Sequence, residues 1–158
     1  MDSYINRKFK SPLHSINNSI VNRIAGKLLN GDNIDLINQT SKVFNIRITA
    51  DTDNTRAAGL MFAAPLEDDE CAYFIFPHDD SHGFWNHNVS FPLTLAFCNQ
   101  SGRIVDIGDM EAGSRKILSP DSNQVRYVAE CKKGTLTKKA IGGFLDHRQG
   151  KLYFTPPN

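Results

Sequence analysis

The 158-residue chain has a single tryptophan, three cysteines and no Cys-x-x-Cys pair. Cys71, Cys98 and Cys131 stand 27 and 33 residues apart. That odd, widely spaced set excludes both a disulfide framework and a zinc ribbon. Each cysteine lies in an apolar stretch, CAYFIF, LAFC or YVAEC, where a reduced thiol acts as a small hydrophobe and a reducing compartment fits. No apolar run approaches the ~18 residues of a membrane span, and the polar start MDSYINRKFK lacks signal-peptide character. There is no Gly-x-Ser-x-Gly for an activated serine, and Gly142-Gly143 reads as a helix stop rather than a phosphate cradle. Lys132, Lys133, Lys138 and Lys139 cluster without an interleaved aromatic, so they read as a solvated helix face and not as a nucleic-acid surface.

What is present belongs to a globular chain: 40% hydrophobic and 22% charged residues, enough to build one unaided core at this length. The net charge of +1 hides a segregation, +4 over residues 1–48, −9 over 49–114 and +6 over 115–158. An acidic middle between basic ends can pair within the chain or between subunits.

Near the N-terminus Leu13, Ile16, Ile20, Ile24 and Leu28 step by three and four, the stripe of an amphipathic helix. Ser11 caps it, Pro12 fits its first position and Gly31 ends it, which predicts a helix over 12–30. From residue 43 the period changes. Phe44, Ile46 and Ile48 alternate with polar residues as a half-buried strand does. A short helix follows at DNTRAAGLM, then strand-like runs at 71–77, 84–88, 93–98, 103–108 and 125–131, a short helix at 135–142 and a terminal strand at 151–154. Asn99-Gln100-Ser101-Gly102 reads as a hairpin loop with Gly102 at positive φ. Short, regularly spaced strands predict a mainly-β (α+β) fold, a compact antiparallel barrel or sandwich with short helices. The division is a helical arm at 1–45 and a β-rich domain at 46–158.

Three groups of side chains could carry chemistry. His78, Asp79, Asp80, His82 and His87 contain metal-binding residue types, but Pro77, Gly83 and the Asp pair mark a loop joining two strands, and no metal site is assigned. Asp106, Asp109 and Glu111 could supply paired carboxylates, though acids at a strand end are commonly just solvated. Trp85, Asn86, His87 and Asn88, flanked by Phe84 and Phe91, could line a small-molecule groove, the alternative being core packing with the indole N–H satisfied by backbone.

Gly59-Leu60-Met61-Phe62, a strand ending Phe74-Ile75-Phe76-Pro77, then FWNHNVSFPLTLAF, the Gly102 turn, RIVDI and VRYVAEC-KKG occur in that order. Taken together, over about residues 46–145, they resemble the small β-rich proteins catalogued as domain of unknown function 192. The resemblance implies a compact, mainly-β barrel or sandwich and no established activity. That family's Trp-Met-Lys-Asn-Thr segment is matched here at Trp85 and Asn88, but its Met-Lys is Asn86-His87 and its Thr is Val89. Its Pro-Leu-Asp keeps Pro92 and Leu93 and replaces the acid with Thr94. The exchanged Lys and Asp are the charged pair best suited to bind a polar ligand.

These observations lead to the expectation of a non-enzymatic interaction module, without cofactor, nucleic acid or membrane. It would dock on a protein partner or a second copy through Leu13, Ile16, Ile20, Ile24 and Leu28, in a larger cytoplasmic or virion assembly. The alternative is a small hydrolase or ligand-binding protein that uses the groove near Trp85, with His87 as general base.

Overall fold

A computed structural model of the chain describes residues 40–158, and Ser41–Asn158 form one compact unit. The helix predicted over 12–30, with its stripe Leu13, Ile16, Ile20, Ile24 and Leu28, lies outside the described residues.

Seven strands make one mixed sheet: β1 (Lys42–Ala50), β2 (Glu70–Asp80), β3 (Leu93–Cys98), β4 (Ile104–Met110), β5 (Val125–Lys132), β6 (Phe144–Arg148) and β7 (Lys151–Thr155). Their order across the sheet is β4-β3-β5-β2-β1-β7-β6. The β1–β2 pair is parallel and the other pairs are antiparallel. A parallel pair needs a crossover, and here it contains the helix α1 (Asp53–Ala58). Thr52 caps α1 in a reciprocal box with Thr55, and Gly59, at φ 48°, ends the helix, whose last residue Ala58 is three short of the predicted end at Met61.

The sheet curls into a half-barrel and does not close into the expected antiparallel barrel. Its two edges meet at one end, where Ile104 N–H donates to Gly143 O, Gly142 N–H to Ile104 O and Leu145 N–H to Gly102 O. A Cβ on Gly102 would come within 2.6 Å of Leu145 O, and one on Gly143 within 2.5 Å of Thr155 O, so the seam closes only around glycine. Elsewhere β4 and β6 run apart.

Two apolar clusters occupy the two faces. The inner one takes side chains from all seven strands, among them Phe44, Tyr73, Ala96, Ile107, Ala129, Leu145 and Phe154. The outer one joins Ala72, Phe74, Leu93, Leu95, Phe97 and Val128 to residues from irregular segments, Leu60, Leu66, Val89 and Phe91. The alternation at 44–48 therefore does not keep one face. A bulge between Ile46 and Ile48 leaves Phe44 and Ile46 on the inner cluster and sends Ile48 and Ala50 to the outer one. Arg47, the extra residue, makes a two-pronged contact with Glu70 (2.6 and 3.1 Å) and donates to the carbonyls of Ala64 and Pro65, fastening the crossover to the sheet.

Several elements differ from expectation. FWNHN is not a strand; Phe84 makes one isolated bridge to Leu118, and the rest is a loop. β2 continues through His78 to Asp80, where a loop was expected, and the segment 135–142 holds only a 3-10 turn at Lys138–Ala140. β6 was not predicted. β1 begins at Lys42, so residues 42–45 are strand rather than arm. The lysine cluster is not one helix face: Lys138 and Lys139 are exposed on the 3-10 turn, whereas Lys132 pairs with Asp68 and Lys133 with Glu111, both at 2.8 Å, on the end of β5 and the turn after it. With Arg47–Glu70 and Arg126–Asp79, these pairs join the acidic middle to basic residues on both sides, so the segregated charge is matched at least partly within the chain.

Candidate functional site

The outer face carries a groove of about 450 Å³. Its walls come from three stretches distant in sequence: Gly59, Leu60 and Met61 after α1, Phe84, Trp85 and His87 in the loop before β3, and Glu130 on β5. Phe74 and Phe76 of β2 complete the aromatic lining. Phe84 meets Phe74 edge-on at 5.1 Å and Phe76 at 6.0 Å, which fixes one wall.

Glu130 is the residue that sequence reasoning missed. It is 4% exposed, on the interior strand β5, with Ala72 and Leu95 as cross-strand neighbours. Among the described residues nothing hydrogen-bonds to its carboxyl. Burial alone pushes that group up to about 8, so it is mostly a neutral acid at pH 7. Burial of a carboxyl without a counter-charge is costly, which makes Glu130 the candidate functional group of the groove.

The four residues singled out between Phe84 and Val89 separate into two roles. Trp85, 48% exposed, and His87 line the groove, with ring centroids 4.9 Å apart. Asn86 points inward and is fully buried. Its Nδ2 donates to Phe91 O and Glu111 O, both at 2.9 Å, and its backbone N–H to Ser114 O, so it ties the loop to the segment after β4. Asn88, at φ 59°, is exposed and accepts from Phe62 N–H through its carbonyl; it borders a neighbouring shallow depression with Phe62 and His87. His87 Nδ1 accepts from Arg115 Nε at 3.2 Å, which puts the ring proton on Nε2.

The other groups do not assemble. His82 stacks on Phe76 at 3.6 Å and contacts His78 O through Nε2; Asp79 pairs with Arg126, and Asp80 holds Ser81 N–H. Among the described residues no three His, Cys, Asp or Glu side chains converge on a point that could hold a metal. Asp106 accepts from the backbone of Ile107 and Asp121, Asp109 from Thr94 Oγ1, and Glu111 pairs with Lys133, three separate duties rather than a carboxylate pair. Cys71, Cys98 and Cys131 are reduced and buried in the inner cluster, and desolvation raises all three thiols, Cys131 to about 12. Such thiols are poor nucleophiles. No helix among the described residues is long and apolar enough to cross a membrane.

The segments that frame the groove are three of those on which the family resemblance rests. The chain belongs to the DUF192 family, described as Uncharacterized ACR, whose profile matches residues 35–143. Two solved structures share its fold. A protein of unknown function from Novosphingobium aromaticivorans DSM 12444 is 25% identical, with a TM-score of 0.52 over 58% of this chain and 71% of that one. A candidate transcription regulator from Sinorhizobium meliloti 1021 is 20% identical, with a TM-score of 0.56 over 72% of this chain and 89% of that one, a likeness of fold alone. No curated protein matches the sequence.

Proposed function

We propose that this β domain is a binding module whose outer groove receives a small ligand. The observation that carries the reading is Glu130, a buried carboxyl without a partner that lines an aromatic cavity of about 450 Å³. Pockets that hold small molecules are mostly apolar, with a few placed polar groups, and span roughly 300–1,000 Å³. Binding is favoured over hydrolysis by two details. Glu130 lacks the orienting partner that a working acid or base has. His87 has its Nδ1 lone pair occupied by Arg115 and its proton on Nε2, so neither nitrogen offers a free base. The docking surface expected on the arm, Leu13 to Leu28, lies outside the described residues and adds no support here.

Trp85 is the chain's single tryptophan and lines the groove, so its emission reports occupancy directly. A fragment library screened against the full chain should yield compounds that both raise Tm and change Trp85 emission, with both responses lost in Glu130→Leu. A library that moves neither signal would rule the groove out as a ligand site. A compound consumed by the wild type but not by His87→Ala would instead establish the hydrolase.

A further inference from the structure

The surroundings of Glu130 restrict what can fill the groove. Its cross-strand neighbours, Ala72 and Leu95, are apolar. The charged or titratable groups around it are Arg56 and His87 on the groove walls, and Lys132 two residues along the same face of β5. All three are committed elsewhere: Arg56 donates to Ile75 O and Asp53, His87 is held by Arg115, and Lys132 pairs with Asp68. No cation is held against the carboxyl. In its neutral form the group is a hydroxyl donor and a carbonyl acceptor side by side. The complement of that pair is a planar group with an N–H next to a C=O. Around it stand the flat apolar surfaces of Phe74, Phe76, Phe84 and Trp85. Of the residues that line the groove only Glu130 is acidic, so no fixed negative charge on its walls draws a cationic guest.

We propose that the groove takes a small, uncharged, planar molecule of the aromatic amide or lactam class, its N–H and C=O paired with the Glu130 carboxyl and its ring packed on the aromatic walls. The proposal rests on the groove being a ligand site.

Four probes of similar size separate the possibilities, each titrated by calorimetry into the full chain at pH 6.5 and pH 9: isoindolinone, N-methylisoindolinone, indane and benzylamine. Isoindolinone should bind at least tenfold more tightly than its N-methyl derivative or indane, which cannot complete the pair. Its affinity for the wild type should fall about tenfold between pH 6.5 and 9, as Glu130 ionises with a pKa of about 8. In Glu130→Gln, whose carboxamide keeps a donor beside an acceptor, binding should persist and lose that pH dependence. A thermal melt of this variant confirms that it is folded. Two results overturn the ligand class and leave the groove a binding site: equal affinity for isoindolinone and its N-methyl derivative, or benzylamine binding that strengthens at pH 9 and vanishes in Glu130→Gln. No heat from any of the four at millimolar concentration also overturns the ligand class, while the groove as a binding site stands or falls on the fragment screen.

Discussion

The two faces of this sheet are closed by different means. The inner face is closed mainly by strands: each of the seven contributes, only Leu136 and Ala140 come from outside them, and the polar atoms buried there include three thiols that desolvation keeps protonated. The outer face is closed by irregular chain, the stretches 59–66, 84–91 and 117–118, which cannot tile a sheet as completely as strands do. It is there that the buried carboxyl of Glu130, the buried amide of Asn86 and the groove are found. Continuous strand packing leaves no room for a guest, whereas a cover of loops creates both the room and the need to satisfy isolated polar groups.

If that contrast holds, the severest perturbation is to the inner face at its strand edge. A fragment starting at residue 46 loses Phe44 and the whole β1–β7 ladder, Lys42↔Phe154 through Asn45↔Lys151. It should show no cooperative melt, while a fragment starting at residue 41 melts as a unit; calorimetry on both decides it. Next come single side chains. Phe154→Ala, at 1% exposure on the inner face, should cost roughly 3–5 kcal/mol in denaturant unfolding. Trp85→Ala, half exposed on the groove, should cost less than about 1 kcal/mol. Equal costs would mean that the outer cover is as tightly built as the inner core.

The third effect is electrostatic. Glu130 keeps its proton in the folded state up to about pH 8, whereas the unfolded chain releases it near 4.5. The unfolded state therefore binds fewer protons between those values, and stability is undiminished at acid pH and falls as pH rises through this window. Between pH 5 and 7 the loss from this group is on the order of 2–3 kcal/mol. Glu130→Gln should flatten that slope, and an unchanged slope would show that the carboxyl is not the buried acid described here. The smallest effect concerns strain in the cover. Phe62 is 82% exposed at φ 62°, a conformation that suits glycine, so Phe62→Gly should be neutral or stabilising by up to roughly 1 kcal/mol in thermal melts.

The same division explains what the sequence disclosed. Strands β2, β3, β4, β5 and β7 were legible because their apolar runs are bounded by turn residues, as was the Gly102 hairpin, where Asn99 Oδ1 gathers Ser101 N–H and Arg103 N–H. β6 was not, since Leu145 is its one buried residue and its link to β7 is the tight turn Gln149-Gly150, both at positive φ. FWNHN reads as a strand because Phe84 and Trp85 follow a turn-forming Gly83, yet its backbone N–H groups go to Leu118 and Ser114, and the Asn86 side chain donates to Phe91 O and Glu111 O. Trp85 and His87 were nominated together and do meet in the groove. Glu130 was hidden for a physical reason. In VRYVAEC an acid among alternating residues reads as solvent-facing, and only a sheet covered on both sides buries every position of β5 from Val128 to Cys131. One signal could have found it: a strand flanked by apolar residues at both i−1 and i−2 has no dry and wet side to choose between.

The pairing of β1 with β7 also governs when the domain can be completed. The first strand of the described body lies between β2 and the last strand, and Lys42 pairs with Phe154 across more than a hundred residues of intervening chain. Closing so long a loop is entropically slow, so this domain should fold late and on the slow side for its size. On the ribosome the ladder cannot form until the C-terminal strand has emerged. From the synthesis of β1 until β7 emerges one edge of β1 stays unpaired, and the nascent protein must be kept from pairing that edge with another.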